Sequence, residues 1–277
     1  MKKTLMLTAA VLLGFSLSLG VAAKTLRLAY DADPVSLDPH EQLSGGMLQL
    51  SHMIFDPLIR WNKESQFDGR LASSWERLDE YTVRFKLREG VKFHSGNDFT
   101  AKDVAWTFDR IKTSPDFKGL FQPFKELKVV DDYTIDLVTD KPYPLVLHMA
   151  TYIFPMDSAF YTGTDTKGLA KDMLKKHADT FASVNASGTG PYTVAERQQG
   201  VRVDFKRFAD YWDKKSPGNV DEIVLTPIKE APTRVAALLS GDVDFIAPVP
   251  PTDLDRIRNN VKVDLITMSG TRIITLQ

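Results

Sequence analysis

Apolar and polar residues alternate along residues 81–87, and this period of two predicts a strand with one buried face. Tyr81, Val83, Phe85 and Leu87 are the apolar positions. A turn at residues 88–90 follows, after which a polar loop over 94–98 leads to a different pattern.

That second pattern predicts a helix that begins near Ala101. Thr100 stands three residues before Asp103, which is the spacing of a capping box with Asp in place of the usual Glu. Apolar residues then recur at intervals of three and four, so one stripe of the helix should pack against the neighbouring strand. These residues are Val104, Ala105, Phe108 and Ile111.

The same two periods and the turn residues between them divide the rest of the chain. They predict strands over residues 25–30, 127–130, 134–138, 192–197, 201–208, 223–228, 242–246, 261–267 and 272–276. Predicted helices run from about Gly46 to residue 55, over 144–152 and 167–181, from Pro232 to a C-cap at Gly241, and through Leu254 and Ile257 after a cap at Thr252. Interleaved strands and helices predict an α/β fold.

Composition narrows the classes of protein. The 35 Lys and Arg residues nearly balance 36 Asp and Glu residues, so charge gives no indication of a nucleic-acid partner. The 277-residue chain has no Cys, which excludes disulfides, thiol catalysis and Cys-based metal sites. With 43% apolar residues it can bury one large core or two smaller ones.

The N-terminus has the three parts of a secretory signal peptide. Lys2 and Lys3 precede an apolar run over residues 5–19, and Val21-Ala22-Ala23 supplies small residues for cleavage after Ala23. The sequence therefore predicts an exported protein with residues 1–23 removed and no stable membrane anchor. The alternative is an uncleaved anchor, although Gly14, Ser16 and Ser18 interrupt the run.

The central block resembles the signature of the bacterial extracellular solute-binding proteins of family 5, the periplasmic peptide and nickel receptors of ABC importers. The matching residues, in order, are Ala72 and Trp75, the strand and turn over 85–93, Ser95 and Gly96, and Phe99, Thr100, Ala101, Asp103 and Val104. Segments 36–39 (SLDP), 188–192 (GTGPY) and 233–245 (TRVAALLSGDVDF) agree with the same family in the same order.

This resemblance implies a periplasmic binding protein-like fold of class II, cluster C. Residues 24–260 would form lobe one, with mixed β-sheets flanked by helices and a subdomain over about 55–180. Residues 261–277 would begin the crossover into a second lobe that is largely missing, and the β-branched run at 273–276 gives the sequence the appearance of being cut short. The alternatives are a short protein that pairs this edge with a partner, and a disrupted, non-functional fragment.

The resemblance also implies a function. Family members capture a small peptide or similar solute in the Gram-negative periplasm and pass it to an inner-membrane ABC permease, without catalysis or a cofactor and as a monomer. Without any Cys the chain cannot carry a lipid-modified Cys. One alternative is a receptor of the same fold that binds nickel chelates, sugars or opines. An alternative from another class is an exported hydrolase or a chaperone-like module.

Ten residues are candidate ligand contacts by the same resemblance, although turn or packing roles are equally expected. They are Asp33, Ser36, Asp38 and His40 after the first strand, Tyr152 and Phe154 on the rim, and Gly188, Thr189, Gly190 and Tyr192 in the middle of the chain. In peptide-binding relatives the charged ligand clamps come largely from lobe two, so they are not carried over. Nickel-binding relatives use an Arg in the segment matching 149–156, where this chain has none.

The motifs of common enzyme classes are missing. The five His residues form no metal-binding pair at helical spacing, which disfavours a built-in zinc site. Gly188-Thr189-Gly190 lacks the Lys of a P-loop, so the glycine pair is better explained by letting backbone approach the cleft or by opening a strand. Ser95 adjoins His94, but no nucleophile elbow surrounds it.

Overall fold

The computed structural model describes residues 24–216 and 218–267. The predicted signal peptide at 1–23 and the predicted strand at 272–276 lie outside the described residues. Within the described part of the chain, no helix has the length and apolar character needed to cross a membrane.

The structure is a mixed α/β fold with three sheets. The strands are β1 (Thr25–Tyr30), β2 (Ile59–Trp61), β3 (Phe67–Gly69), β4 (Ala72–Arg77), β5 (Thr82–Leu87), β6 (Phe124–Asp131), β7 (Thr134–Thr139), β8 (Tyr192–Gln198), β9 (Arg202–Arg207), β10 (Glu222–Pro227) and β11 (Phe245–Ala247). The α-helices are α1 (Gly45–Ile54), α2 (Ala101–Ile111), α3 (Lys118–Phe121), α4 (Val146–Ala150), α5 (Ser158–Tyr161), α6 (Phe181–Val184), α7 (Ala231–Ser240) and α8 (Leu254–Arg258), and a 3₁₀ helix covers Pro251–Asp253.

The largest sheet has the order β11-β1-β10-β9-β8. β1 is parallel to both β10 and β11, whereas β9 is antiparallel to β10 and β8. The β8–β9 hairpin confirms the prediction around residues 198–200. Because β1 lies between two parallel neighbours, distant parts of the chain come together along it.

A second sheet, β4-β5-β7-β6, is antiparallel throughout. The predicted alternation is confirmed at Val83, Phe85 and Leu87, which are buried, but Tyr81 precedes β5 and is exposed. α2 begins at Ala101 as predicted, and the Asp103 carboxylate accepts the backbone N–H of Thr100 at 2.9 Å. The apolar stripe of α2 enters the same core as β5.

The buried apolar residues form three clusters. The first unites the antiparallel sheet with α2, and the second unites α1 with the large sheet. The third, around Val235 and Ile246, packs α7 against β11. α7 ends as predicted, with Gly241 in the left-handed conformation at φ 84°.

Two predicted elements are wrong. Residues 167–180 form turns instead of a helix, because Gly168 has a φ of 75° and the carbonyls of Asp172 and Met173 accept hydrogen bonds from Arg110. Residues 261–267 form no strand, since they pair with none of the described strands and Val261 is 99% exposed.

Three other predicted elements differ in detail. The helix predicted over 144–152 is only the five residues of α4, and the strand predicted from 242 begins at Phe245. Thr252 lies inside the 3₁₀ turn and does not cap the following helix.

Candidate functional site

A crevice lies where the parallel strands of the large sheet end. Tyr30, the last residue of β1, pairs with Pro227 of β10 on one side and Ala247 of β11 on the other. Ligands of open α/β sheets bind outside the carboxyl ends of the strands. A cavity of about 780 Å³ occupies this position.

Three segments line the crevice. They are the end of β1 with the loop that follows it, the start of α1, and the peptide after β11. The lining residues are Tyr30, Asp31, Ala32, Asp33, Pro34, Val35, Gln42, Ser44, Gly45, Gly46, Met47, Gln49, Ala247 and Pro248.

The first turn of α1 presents backbone donors to the crevice. Ser44 is the N-cap, and its hydroxyl accepts the N–H of Met47 at 3.4 Å. A Cβ atom at Gly45 or Gly46 would meet nothing within 4 Å, so packing inside the protein does not require these glycines. They leave the N–H groups of the helix end open to a carbonyl or carboxylate of a ligand.

The β8–β9 hairpin holds the loop that lines the crevice. Asp33 accepts the Gly200 N–H through Oδ2 at 2.9 Å, and Arg197 donates to the Pro34 carbonyl at 2.7 Å and the Ser183 carbonyl at 3.0 Å. Asp33 Oδ1 and Gln42 Oε1 are buried without a hydrogen-bond partner. The loop is therefore fixed before a solute arrives, which lowers the entropic cost of binding.

A second cavity, of about 830 Å³, lies along the other side of α1 and is here called the aromatic cleft. α1 joins the two cavities, because Met47 and Gln49 line the crevice whereas Leu48 and His52 line the aromatic cleft. The remaining lining residues are Asp56, Arg60, Trp61, Asn62, Lys63, Glu64, Asp68, Arg70, Thr151, Tyr152, Pro191, Tyr211 and Ser216.

A buried charge cluster forms the floor of the aromatic cleft. Arg70 donates to Asp56 Oδ1 at 2.8 Å and to Asp213 at 3.0 Å, and it also contacts the Tyr211 hydroxyl. Trp212 donates its indole N–H to Asp56 Oδ2 at 2.8 Å. Each charge has a partner, so the cluster supports the cleft wall and is not itself an open binding group.

The ten sequence candidates separate into two groups. Asp33 lines the crevice and Tyr152 lines the aromatic cleft. The remaining candidates have contacts inside the protein, and Ser36, Asp38, His40, Phe154, Thr189 and Tyr192 are buried. Ligand contact by these residues stays a prediction.

Asp38 and His40 illustrate the internal group. Asp38 forms a two-point ion pair with Arg110, at 3.0 and 2.5 Å. Burial acts to raise the pKa of Asp38, but Arg110 outweighs it and the pKa is lowered. Burial lowers the pKa of His40 to about 3, so this ring is neutral at the core between Phe117 and Phe154.

Segment 188–190 packs against the end of α1. Gly190 donates its N–H to the Ile54 carbonyl at 2.8 Å, and the Thr189 hydroxyl accepts the Asp56 N–H at 3.2 Å. His94 lies over this segment, with Nε2 at 3.0 Å from the Gly190 carbonyl. The glycine pair therefore approaches the protein's own helix and not the cleft.

The neighbouring Ser95 does not form a nucleophile with His94. Its hydroxyl donates to Asp157 at 2.5 Å, while His94 is engaged with Gly190. Nucleophilic catalysis requires the base to accept the proton of the hydroxyl, and this geometry does not provide that contact. Among the described residues, no group of three His, Asp or Glu side chains is arranged to hold a metal ion.

The sequence interpretation missed most of the residues that line the two cavities. Ser44-Gly45-Gly46 was available as a signal, because two exposed glycines at a capped helix start are unfavourable for helix stability and need another explanation. The residues of the aromatic cleft had no comparable signal, since they come from separate segments.

Comparison with known proteins decides the family. The model of the family described as "Bacterial extracellular solute-binding proteins, family 5 Middle" matches residues 66–277. The chain belongs to this family of solute-binding proteins. The resemblance seen in the sequence is thereby confirmed.

Relatives of the family 5 chain include the dipeptide-binding protein of Escherichia coli strain K12. It is 27% identical over 286 aligned residues, which cover 95% of this chain and 52% of the relative. The chain thus spans about half the length of the curated relatives it matches.

Solved structures of the family have the same fold. The dipeptide-binding protein from Pseudoalteromonas sp. SM9913, in complex with Met-Leu, superposes with a TM-score of 0.75 at 22% identity, covering 86% of this chain and 50% of that one. NikZ from Campylobacter jejuni, in complex with Ni(L-His), gives 0.72 at 20% identity, covering 86% and 45%. The predicted periplasmic binding protein-like α/β fold is confirmed.

Proposed function

We propose that this protein is a periplasmic receptor that holds an oligopeptide or dipeptide in the crevice and delivers it to an inner-membrane ABC permease. The observation that carries the proposal is the 780 Å³ cavity at the carboxyl ends of β1 and β11, faced by the start of α1. Free backbone N–H groups suit the carbonyl and carboxylate groups that every peptide has. The dipeptide-binding relatives support the same ligand class.

The proposal includes the domain organisation. Residues 24–260 are lobe one with the subdomain at about 55–180, and 261–277 begin the crossover to a second lobe. Closure of two lobes over the solute would exclude water from the crevice. Residues 1–23 direct export and are then removed, and the receptor acts as a monomer without catalysis.

Thermal unfolding tests this proposal. A solute that binds only the folded state raises the unfolding midpoint, so the exported chain is heated with and without a mixed library of di- to pentapeptides. We expect an upward shift that increases with peptide concentration. A sharp transition that no peptide moves would contradict peptide binding by this chain.

A nickel chelate is the second candidate solute, because the structure of NikZ was obtained with Ni(L-His) and shares this fold. Adding Ni(L-His) in place of the peptide library separates the two. A shift with the nickel complex and none with peptides would reverse the assignment.

A further inference from the structure

A rigid aromatic platform forms one wall of the aromatic cleft. Trp61 of β2 pairs with Phe67 of β3, and their ring centroids lie 4.0 Å apart at an interplanar angle of 32°. His148 of α4 packs edge-on against both rings, at 5.2 and 5.3 Å. Contacts with Phe67 and His148 thus fix the position of the Trp61 indole.

The front of the platform remains open. Trp61 is 45% exposed although it belongs to this cluster, and it lines the 830 Å³ cavity together with the half-buried Tyr152 and Leu48. A large apolar side chain that is fixed but uncovered beside a cavity of ligand size favours contact with another apolar group.

Arg60 adds a cation next to the platform. It lines the same cavity and is exposed, and its side chain forms no ion pair or hydrogen bond with any described residue. By contrast, the neighbouring Lys63 lies 3.5 Å from Glu64. The guanidinium of Arg60 therefore keeps its donors available for a planar acceptor such as a carboxylate.

We infer that the aromatic cleft selects solutes in which an aromatic ring stacks on Trp61 and a nearby carboxylate pairs with Arg60, the chemistry of a small peptide with an aromatic C-terminal residue. This inference rests on the proposed function, because it names the solute class of the same receptor. α1 borders both the cleft and the crevice, so both cavities belong to the same lobe.

Offset or edge-on contact between aromatic rings adds to the gain from buried area, whereas an aliphatic side chain gains from area alone. The aromatic ring is the element that the cleft recognises, and it adds up to about tenfold in affinity. If Trp61 serves only to cover the β2–β3 hairpin, aromatic and aliphatic solutes of similar size bind alike.

Isothermal titration of the exported chain with Ala-Phe and Ala-Leu tests the inference. We expect Ala-Phe to bind more tightly than Ala-Leu, by up to about tenfold. Trp61→Leu keeps an apolar cover on Phe67 but should remove this preference, and Trp61→Phe should restore most of it. Arg60→Gln should weaken Ala-Phe while leaving the binding of its C-terminal amide unchanged.

Tyr81→Leu is the matched control, because Tyr81 is also exposed, at 44%, and lines none of the cavities described above. It should leave both affinities unchanged. Equal binding of the two dipeptides, or a preference that survives Trp61→Leu, overturns the inference and leaves the proposed function standing. Failure of both dipeptides and of the peptide library to bind overturns both proposals.

Discussion

Some residue types in this protein are required by contacts with residues far away in the sequence, and a local sequence pattern does not reveal such contacts. The sequence indicated that the pair Gly188 and Gly190 lets backbone approach the cleft or opens a strand, whereas the structure shows a close approach to the end of α1. The sequence did not indicate the partner, because Ile54 lies more than a hundred positions earlier in the chain. At this contact a side chain is excluded by backbone atoms, which cannot move aside as a flexible side chain does.

Gly190→Ala should destabilise the protein strongly. The new Cβ atom would lie 2.5 Å from the Ile54 carbonyl carbon and 2.7 Å from the Phe55 nitrogen, and would also disturb the 2.8 Å hydrogen bond between these segments. We expect a loss of about 3 kcal/mol in the free energy of unfolding, measured by urea denaturation.

The control is Gly119→Ala in α3, where an added Cβ meets nothing within 4 Å. It should be neutral or slightly stabilising, since Ala favours the helix. Equal effects of the two substitutions would show that the close approach does not constrain residue 190.

Elements with their own local signals were the ones that the sequence predicted well. α2 has its cap and its stripe, α7 has Pro232 and Gly241, and β8 and β9 have a turn between them. The segment 167–181 has helix-forming residues too, but Arg110 and Glu41 bind its backbone from outside. Such contacts depend on the tertiary structure, so they override local preference.

The capping prediction can be tested through the two roles of Asp103. One carboxylate oxygen accepts the Thr100 N–H, and the other accepts the N–H of Ser158 at 3.0 Å and its hydroxyl at 2.7 Å. Asp103→Ala leaves these donors without a partner at a buried position, so we expect a loss of about 2 to 3 kcal/mol in urea denaturation.

Thr100→Ala is the comparison within the same cap. It removes a hydroxyl that contacts Asp103 at 3.2 Å and keeps the hydrogen bond from the Thr100 backbone N–H. The loss in the free energy of unfolding should therefore be about 0.5 to 1 kcal/mol. If Thr100→Ala costs as much as Asp103→Ala, the contact to Ser158 contributes nothing.

On the scale of the whole molecule, both cavities arise where distant segments meet. Tyr30 and Ala247 are neighbours only because β11 pairs with β1, and the aromatic cleft combines residues from α1, β2, the turn after α4 and segment 211–216. The sequence therefore predicted the family and the strands, but it placed only Asp33 and Tyr152 of the cavity linings. The pattern of apolar and polar residues within one segment does not show which strand it will pair with.

The charge cluster under the aromatic cleft is the contact that most directly ties these segments together. Asp56 follows α1, Arg70 precedes β4, and Tyr211, Trp212 and Asp213 belong to the segment after β9. Two guanidinium groups lie over the Trp212 ring, with Arg70 at 4.7 Å and Arg88 at 4.6 Å from its centroid. Arg70 thus pairs with carboxylates from two other parts of the chain, and the three segments meet at this cluster.

Arg70→Met should destabilise the protein by about 3 to 5 kcal/mol, because it leaves the buried Asp56 carboxylate without its cation. Arg27→Met removes the partner of Asp244 at an exposed position, where water screens the pair and the loss should be much smaller. Urea denaturation of both variants measures the difference. The double variant Asp56→Leu with Arg70→Met distinguishes the causes: recovery of stability would assign the loss to the unpaired carboxylate, whereas a further loss would show that the charged cluster itself holds the three segments together.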